Sequence, residues 1–112
     1  MSRVAVVLVG GPRELRSLRL TVEEADPSRP AARHSFKFKR RVRPAYEGGP
    51  GEVDDEAEYL LLDSAGEPLV YAHRELEALV AHARARPEMS GMIGALCEGL
   101  RAQHAQAEEA QP

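Results

Sequence analysis

The spacing of the apolar residues in this chain changes near residue 74. Before that point there are short apolar runs and alternating stretches, and after it apolar residues recur every three or four positions. A period of two is typical of strands, and a period near 3.6 is typical of helices. The sequence therefore predicts the α+β class: a single, mostly antiparallel sheet of about five strands, with two C-terminal helices packed on one face.

The length and composition predict one domain. The chain has 112 residues, 43% of them hydrophobic, so it can bury an aliphatic core without a metal or a disulfide. We expect this domain to span residues 1–104 and residues 105–112 to form a flexible tail. No apolar run is long enough for a signal peptide or a membrane span, and Cys97 is the one cysteine. These features predict a cytoplasmic protein that makes no membrane contact.

The N-terminal quarter predicts two strands. Val4–Val9 is a continuous apolar run, typical of a strand buried on both faces, and it ends at Gly10–Pro12. We expect a hairpin turn there and not a phosphate loop, because the proline removes one donor. Residues 13–24 fit both a helix and an alternating strand. A helix would place Arg13 and Arg16 at its positive end, against the dipole, so we predict a strand.

The most regular strand pattern lies at His34–Arg43. Phe36, Phe38 and Val42 fall on one side of this segment, and Arg40 interrupts that side. The other side carries four of the cations at alternate positions: Lys37, Lys39, Arg41 and Arg43. The pattern predicts a strand with one cationic face.

Turn and cap signals divide the rest of the chain. Asp63–Gly66 predicts a hairpin turn with a positive φ at Gly66. Pro68 predicts that the following strand lies at an edge or begins directly after it. Residues 74–86 form an amphipathic helix, which Pro87 ends, and Ser90 is a candidate cap for the second helix.

The two halves of the chain carry opposite charge. Residues 1–51 contain 11 Lys+Arg and 5 Asp+Glu, a net 11 − 5 = +6, and residues 52–112 contain 4 and 13, a net 4 − 13 = −9. One interpretation is that the acidic run 52–58 pairs with the basic strand as its antiparallel neighbour. The alternatives are that the cationic face binds nucleic acid or another polyanion, or an acidic protein.

No catalytic or metal-binding signature is present in the sequence. The soft metal ligands, which do not show the spacing of a metal site, are His73, His82, His104 and Cys97. No nucleophile signature surrounds Ser64, Ser90 or Cys97. We therefore predict no catalytic residue, no metal and no cofactor. An enzyme would need a site assembled by the fold, for example around His34, His73 or His82.

The second helix contains three glycines, each costing about 1 kcal/mol relative to alanine. Close approach of another backbone explains Gly91, Gly94 and Gly99, either within the monomer, against residues 74–86, or across a dimer interface. Packing in the core is the preferred interpretation of the role of this helix. The adaptable apolar residues that form the predicted partner interface are Met89, Met92, Ile93 and Leu96.

A family resemblance over residues 4–73 rests on three features. These are a first strand that ends in Val9-Gly10-Gly11-Pro12, an alternating second strand, and a late hairpin from Tyr59–Asp63 to Gly66–His73. On these motifs the chain resembles a loose group of small proteins from actinobacteria and their phages. Arg13–Arg16 departs from that pattern, and the two helices lie outside it. The resemblance implies a sheet-first layout and a phage-related origin, and it implies no activity.

The leading hypothesis is a small cytoplasmic binding or adaptor protein without catalytic activity. It acts through contacts with a protein partner or with itself, as a homodimer. The alternative is nucleic-acid binding through the basic strand 35–43. A small-ligand binder or an enzyme is the second alternative.

Overall fold

A five-stranded sheet forms the centre of the protein. The computed structural model describes residues 2–16, 20–26, 28–43, 46, 48–49 and 51–109. The strands are β1 (Ser2–Val9), β2 (Leu20–Glu24), β3 (Arg33–Arg41), β4 (Glu52–Asp63) and β5 (Leu69–His73), and their order across the sheet is β2-β1-β5-β4-β3. Among the described strands, only β1 and β5 pair in parallel, and the sheet curls into a half-barrel. The predicted α+β class and mostly antiparallel sheet are confirmed.

Helices follow the sheet, as predicted. A short 3-10 turn at Arg74–Leu76 leads into α2 (Glu77–Arg84), and α3 (Pro87–Glu109) follows directly. A single helical turn, α1 (Arg13–Arg16), lies between β1 and β2. The helix α3 extends five residues into the segment predicted as a tail, and residues 110–112 lie outside the described residues.

The inner face of the sheet carries the larger core. Val4, Val6, Tyr59 and Tyr71 point to this face from three strands, and Leu15 of α1 covers them with 1% of its surface exposed. Two aromatic side chains from the edge strand pack against the same cluster, Phe36 and Phe38. The alternation predicted for β3 is therefore confirmed, because its apolar side closes the inner core.

The outer face carries a smaller core beneath α2 and α3. Val70 and Ala72 of β5, Leu62 of β4 and Cys97 of α3 are buried together there. Five partly buried residues complete this cluster: Val9, Leu76, Val80, Ile93 and Leu100. Because β1 contributes Val4 and Val6 to one face and Val9 to the other, the prediction of a strand buried on both faces holds.

The strand predicted over residues 13–24 is wrong in its first half. Residues 13–16 are helical, and β2 begins at Leu20, with residues 17–19 outside the described residues. Leu15 donates its backbone N–H to the Pro12 carbonyl at 3.2 Å, which starts the turn. Burial of the Leu15 side chain in the inner core outweighs the unfavourable charge order, since a single turn has only a small dipole. The predicted hairpin turn at Gly10–Pro12 is thus part of a longer connection.

Two turn and cap predictions are corrected, and a third holds. Gly66 does not have a positive φ, because Asp63 forms the turn by accepting the Ala65 N–H through Oδ1 at 2.7 Å. The prediction for Pro68 holds in its second form, because β5 begins directly after this residue; β5 is not an edge strand, since it lies between β1 and β4. Ser90 is not a cap, because α3 already begins at Pro87 and the Ser90 hydroxyl donates to the Pro87 carbonyl at 3.2 Å.

Candidate partner interface

An apolar groove of about 500 Å³ opens between α2, α3 and the outer face of the sheet. Both helices contribute side chains, and the sheet forms its floor. Every residue that lines it is apolar: Val9, Leu62, Ala72, Leu76, Leu79, Val80, Ala83, Met89, Met92, Ile93 and Leu96. Ligand pockets usually combine apolar walls with a few polar groups that orient the ligand. This groove has no such group among its lining residues, so its chemistry suits an apolar surface of another protein.

The predicted interface residues all lie in this groove. Met89 and Ile93 are half-buried, whereas Met92 and Leu96 expose 65% and 53% of their surface. Leu79 of α2 exposes 61% and was not predicted as an interface residue. Leu76 and Val80, which lie at helical spacings from Leu79, pack against the outer core, whereas Leu79 does not. We name Leu79, Met92 and Leu96, with the groove between them, the α2–α3 face.

The glycines of α3 are not required by close packing among the described residues. A Cβ atom added at Gly91, Gly94 or Gly99 would meet nothing within 4 Å. The explanation that α2 approaches the backbone of α3 closely at these positions is therefore wrong. Three costly helix positions remain unexplained by contacts among the described residues of the chain.

Polar anchors fix α3 on the sheet. Arg101 donates from Nε to the Pro68 carbonyl at 2.9 Å and lies 3.3 Å from Asp63 Oδ1, with both side chains largely buried. Arg84 of α2 donates to the Leu62 carbonyl at 2.7 Å. Cys97 packs in the outer core, and burial, followed by the charge of Asp63, raises the pKa of its thiol. The thiol is therefore protonated and structural. The contacts of Arg84 and Arg101 hold the helices, and with them the α2–α3 face, in a fixed position on the sheet.

The basic strand is paired with the acidic segment, as the self-neutralising interpretation predicted. Opposite residues in the β3–β4 register include Arg41 with Glu52, Lys39 with Asp54, and Lys37 with Glu56. Lys39 Nζ lies 3.0 Å from Asp54 Oδ1, which is the main cause of a raised pKa for this lysine.

Further ion pairs surround the β3–β4 ribbon, the two-stranded part of the sheet in which Arg33–Arg41 pairs with residues 52–60. Arg33 binds both Glu58 and Glu77, and Arg40 on the inner side lies 3.1 Å from Asp55. On the outer side of β3 and β4, four cations thus face four carboxylates: Arg33, Lys37, Lys39 and Arg41 against Glu52, Asp54, Glu56 and Glu58. Arg43 is exposed just beyond β3. The ribbon is balanced in charge over its paired length.

His34 and His73 make separate polar contacts. His34 Nε2 lies 2.8 Å from Oε1 of the buried Glu24, which also accepts the Ala31 N–H. His73 accepts the Glu75 N–H at 3.2 Å through Nδ1. His82 is exposed on α2, and His104 is half-buried on α3.

Within the described part of the chain, these histidines do not belong to a metal-binding cluster. Across the described ranges, no three His, Cys, Asp or Glu side chains are placed to hold a metal ion. Ser64 is exposed in the β4–β5 turn, and the Ser90 hydroxyl is engaged with its own helix.

The Gly10–Gly11 loop is occupied by the chain itself. Both glycines have positive φ values, 73° and 77°. The Gly11 N–H donates to Glu75 Oε1 at 3.3 Å, and Tyr59 Oη donates to the Gly10 carbonyl at 3.0 Å. The loop therefore serves to close the end of the inner core.

Comparison with known proteins adds no assignment. No protein family, curated protein or solved structure matches this chain. Among the helices of the described part of the chain, none has the length and apolar character needed to cross a membrane.

Proposed function

We propose that this chain is a small binding or adaptor protein that works in the cytoplasm through protein–protein contacts and has no catalytic activity of its own. The α2–α3 face is its contact surface. The observation that carries the proposal is the exposure of Leu79, Met92 and Leu96 around a groove lined only by apolar side chains. Burying such surface yields about 25 cal/mol per Å².

The anchoring of the two helices supports the same proposal. Arg84 and Arg101 tie α2 and α3 to the carbonyls of Leu62 in β4 and of Pro68 directly before β5, so the exposed side chains are held in place before a partner binds. A preorganised surface loses little conformational entropy on binding. Exposed apolar patches of this kind on small proteins usually mark an interaction site.

Binding of nucleic acid through the basic strand is less well supported. The carboxylates of β4 lie opposite the cations of β3, so a phosphate backbone would have to displace in-chain partners such as Asp54. In fluorescence anisotropy with short DNA and RNA, we expect no binding that falls steeply with salt. A steep salt dependence that is lost when Lys39 and Arg41 are both changed to Glu would replace this proposal with the nucleic-acid alternative.

A partner-capture experiment with matched variants tests the contact surface. Wild type, Leu96→Glu and Tyr46→Glu are immobilised and exposed to a lysate of the source organism, and captured proteins are identified, purified and reconstituted. Tyr46 is the control because it exposes 68% of its surface away from the α2–α3 face.

We expect the purified partner to bind wild type and Tyr46→Glu equally, and Leu96→Glu at least tenfold more weakly. If every captured protein binds Leu96→Glu as tightly as wild type, the α2–α3 face is not the contact surface. If no partner is recovered and light scattering shows a strict monomer, the binding proposal itself fails.

A further inference from the structure

The chain exposes more surface than a monomer of its mass should. Its accessible surface is 7907 Å² for 12.3 kDa. A monomeric globular protein of that mass exposes about 6,100 Å². This is an excess of roughly 1,800 Å² over the whole chain, and a standard interface would remove about 800 Å² of exposed surface from each copy. The radius of gyration, 16.2 Å, likewise exceeds the value of about 13 Å expected for a compact domain of this length.

The apolar part of this surface is concentrated at one place. Of the four large apolar residues that the described part of the chain exposes, Leu79, Met92 and Leu96 share the α2–α3 face, and Tyr46 lies apart. The helix α3 also carries no charge between Glu88 and Glu98. An interface here buries apolar surface without desolvating a charge along nine residues of α3.

Large and small side chains alternate on the exposed side of α3. Met92 and Leu96 are one turn apart, and Ala95 and Gly99 lie beside them at helical spacings of three or four. Space beside Gly99 is open, with nothing within 4 Å of an added Cβ. The same stretch therefore offers both the knobs and the gaps that a twofold interface needs, since each copy presents an identical patch.

Glu88 and Glu98 decide whether two α3 helices would pack parallel or antiparallel. In a parallel pair, Glu88 and Glu98 would each meet the same residue of the other copy, and like charges at close range are destabilising. In an antiparallel pair centred on Ala95, residue i lies opposite residue 190 − i. Glu98 then lies opposite Met92, and Glu88 lies opposite Ala102. The antiparallel direction also brings opposite ends of the two helix dipoles together.

We propose that a second copy of this chain covers the α2–α3 face, with the two α3 helices packed antiparallel about a twofold axis near Ala95. This inference rests on the proposed function, because it names the partner of the same contact surface. Met92 and Leu96 of each copy fill the gaps beside Ala95 and Gly99 of the other.

Light scattering on purified protein gives the first test. Wild type and Tyr46→Glu should have a mass of 2 × 12.3 = 24.6 kDa. Leu96→Glu should dissociate at least about 100-fold more readily, because it places a carboxylate in the apolar interface. Wild type that stays at 12.3 kDa up to millimolar concentration overturns the inference. So does a Leu96→Glu dimer as stable as the wild-type dimer.

Cysteine cross-linking tests the direction of the helices. The two Cα atoms of Ala95→Cys should fall within the 4.4–6.8 Å that a disulfide spans. In the antiparallel pair, the two copies of Gly99→Cys lie about 12 Å apart along the axis, at 1.5 Å per residue. Wild type controls for the native Cys97, which is fully buried. We expect a cross-link only at position 95, and cross-links at both positions or at neither overturn the arrangement.

The outcomes separate this inference from the proposed function. If wild type is monomeric but binds a reconstituted protein through Leu96, the α2–α3 face is still the contact surface and a second copy is not its partner. If wild type is monomeric and binds no such protein, both the proposed function and the dimer are excluded.

Discussion

The two faces of the sheet differ in how completely the chain covers them. On the inner face, Leu15 of α1 and the aromatic side chains of β3 close over Val4, Val6 and Tyr59. On the outer face, α2 and α3 cover Val70 and Ala72 but leave Leu79, Met92 and Leu96 exposed. The chain itself covers the inner face completely, whereas the outer face keeps exposed apolar side chains on α2 and α3.

Hydrogen bonds of buried polar side chains also close the inner face. At the ends of the inner core, Tyr71 Oη donates to the Ala31 carbonyl at 2.7 Å, Tyr59 Oη to the Gly10 carbonyl, and His34 meets the buried Glu24. No buried side-chain N or O atom among the described residues lacks a hydrogen-bond partner. We therefore expect changes on the inner face to alter stability, and changes on the open part of the outer face to alter association.

The largest expected effect comes from a matched pair of leucine truncations. Leu15→Ala removes a side chain that is 1% exposed, so it should lower the free energy of unfolding by about 2–5 kcal/mol. Leu96→Ala removes one that is 53% exposed, and for the monomer we expect a change within about 0.5 kcal/mol. Urea unfolding at low protein concentration measures both. Equal losses for the two variants would contradict the difference between the faces.

A pair of glycine substitutions tests the closure of the inner core. Gly11 has a φ of 77°, and a Cβ there would clash with Tyr59 Oη and with the His73 ring. Gly48 has a φ of 83° with nothing within 4 Å, so Gly48→Ala reports the backbone strain alone. That strain costs about 1–3 kcal/mol, and Gly11→Ala should cost more because of the clash. Equal unfolding free energies for the two variants would show that the loop does not close the core tightly.

The pH dependence of stability provides a third test of the inner face. Burial, followed by the charge of Glu24, raises the pKa of Tyr71 to about 12. In the unfolded chain a tyrosine ionises near pH 10, so the unfolded state binds fewer protons above that pH. Tyr71 therefore contributes stability below pH 10 that is lost as the pH rises toward 12.

We expect urea midpoints of wild type to fall more steeply between pH 10 and pH 11 than those of Tyr71→Phe. Other groups titrate in both proteins alike, so the variant isolates Tyr71. Parallel pH profiles for the two proteins would mean that the phenol is accessible to solvent, and that the inner face is not closed at this point.

The smallest effect is expected at the rim of the β3–β4 ribbon. Arg40 and Asp55 form an ion pair of 3.1 Å with side chains that are partly exposed. A double-mutant cycle with alanine should give a coupling of about 0.2–1 kcal/mol, and added salt should reduce it. A coupling well above this range would show that the ribbon, too, is part of the tightly closed region.

Local patterns were enough to predict most of the fold. The alternation at His34–Arg43 and the helical spacing after residue 74 each depend on neighbouring residues, and both predictions are confirmed. The parallel pairing of β1 with β5 joins residues more than 60 positions apart, and nothing local specifies it. The helical turn at Arg13–Arg16 was missed because burial of Leu15 in a distant core decides it.

The sequence predicted the α3 residues of the candidate site but not the residue that α2 contributes. Spacing and residue type identified Met89, Met92, Ile93 and Leu96 on α3, and all four line the groove. Their role in binding a partner is still a prediction. Leu79 was missed because its exposure depends on how α2 lies on the sheet, and the balance of charge on the ribbon depends on the register of β3 and β4.

The most direct test of the account is amide hydrogen exchange of purified wild type at low and high protein concentration. It reports on the open outer face and on the edge strand in one experiment. We expect peptides from residues 89–99 to exchange more slowly at high concentration, and peptides from residues 33–41 to exchange at the same rate at both. Exchange of residues 89–99 that does not depend on concentration, or slowing confined to residues 33–41, would contradict the claim that a second copy covers the α2–α3 face.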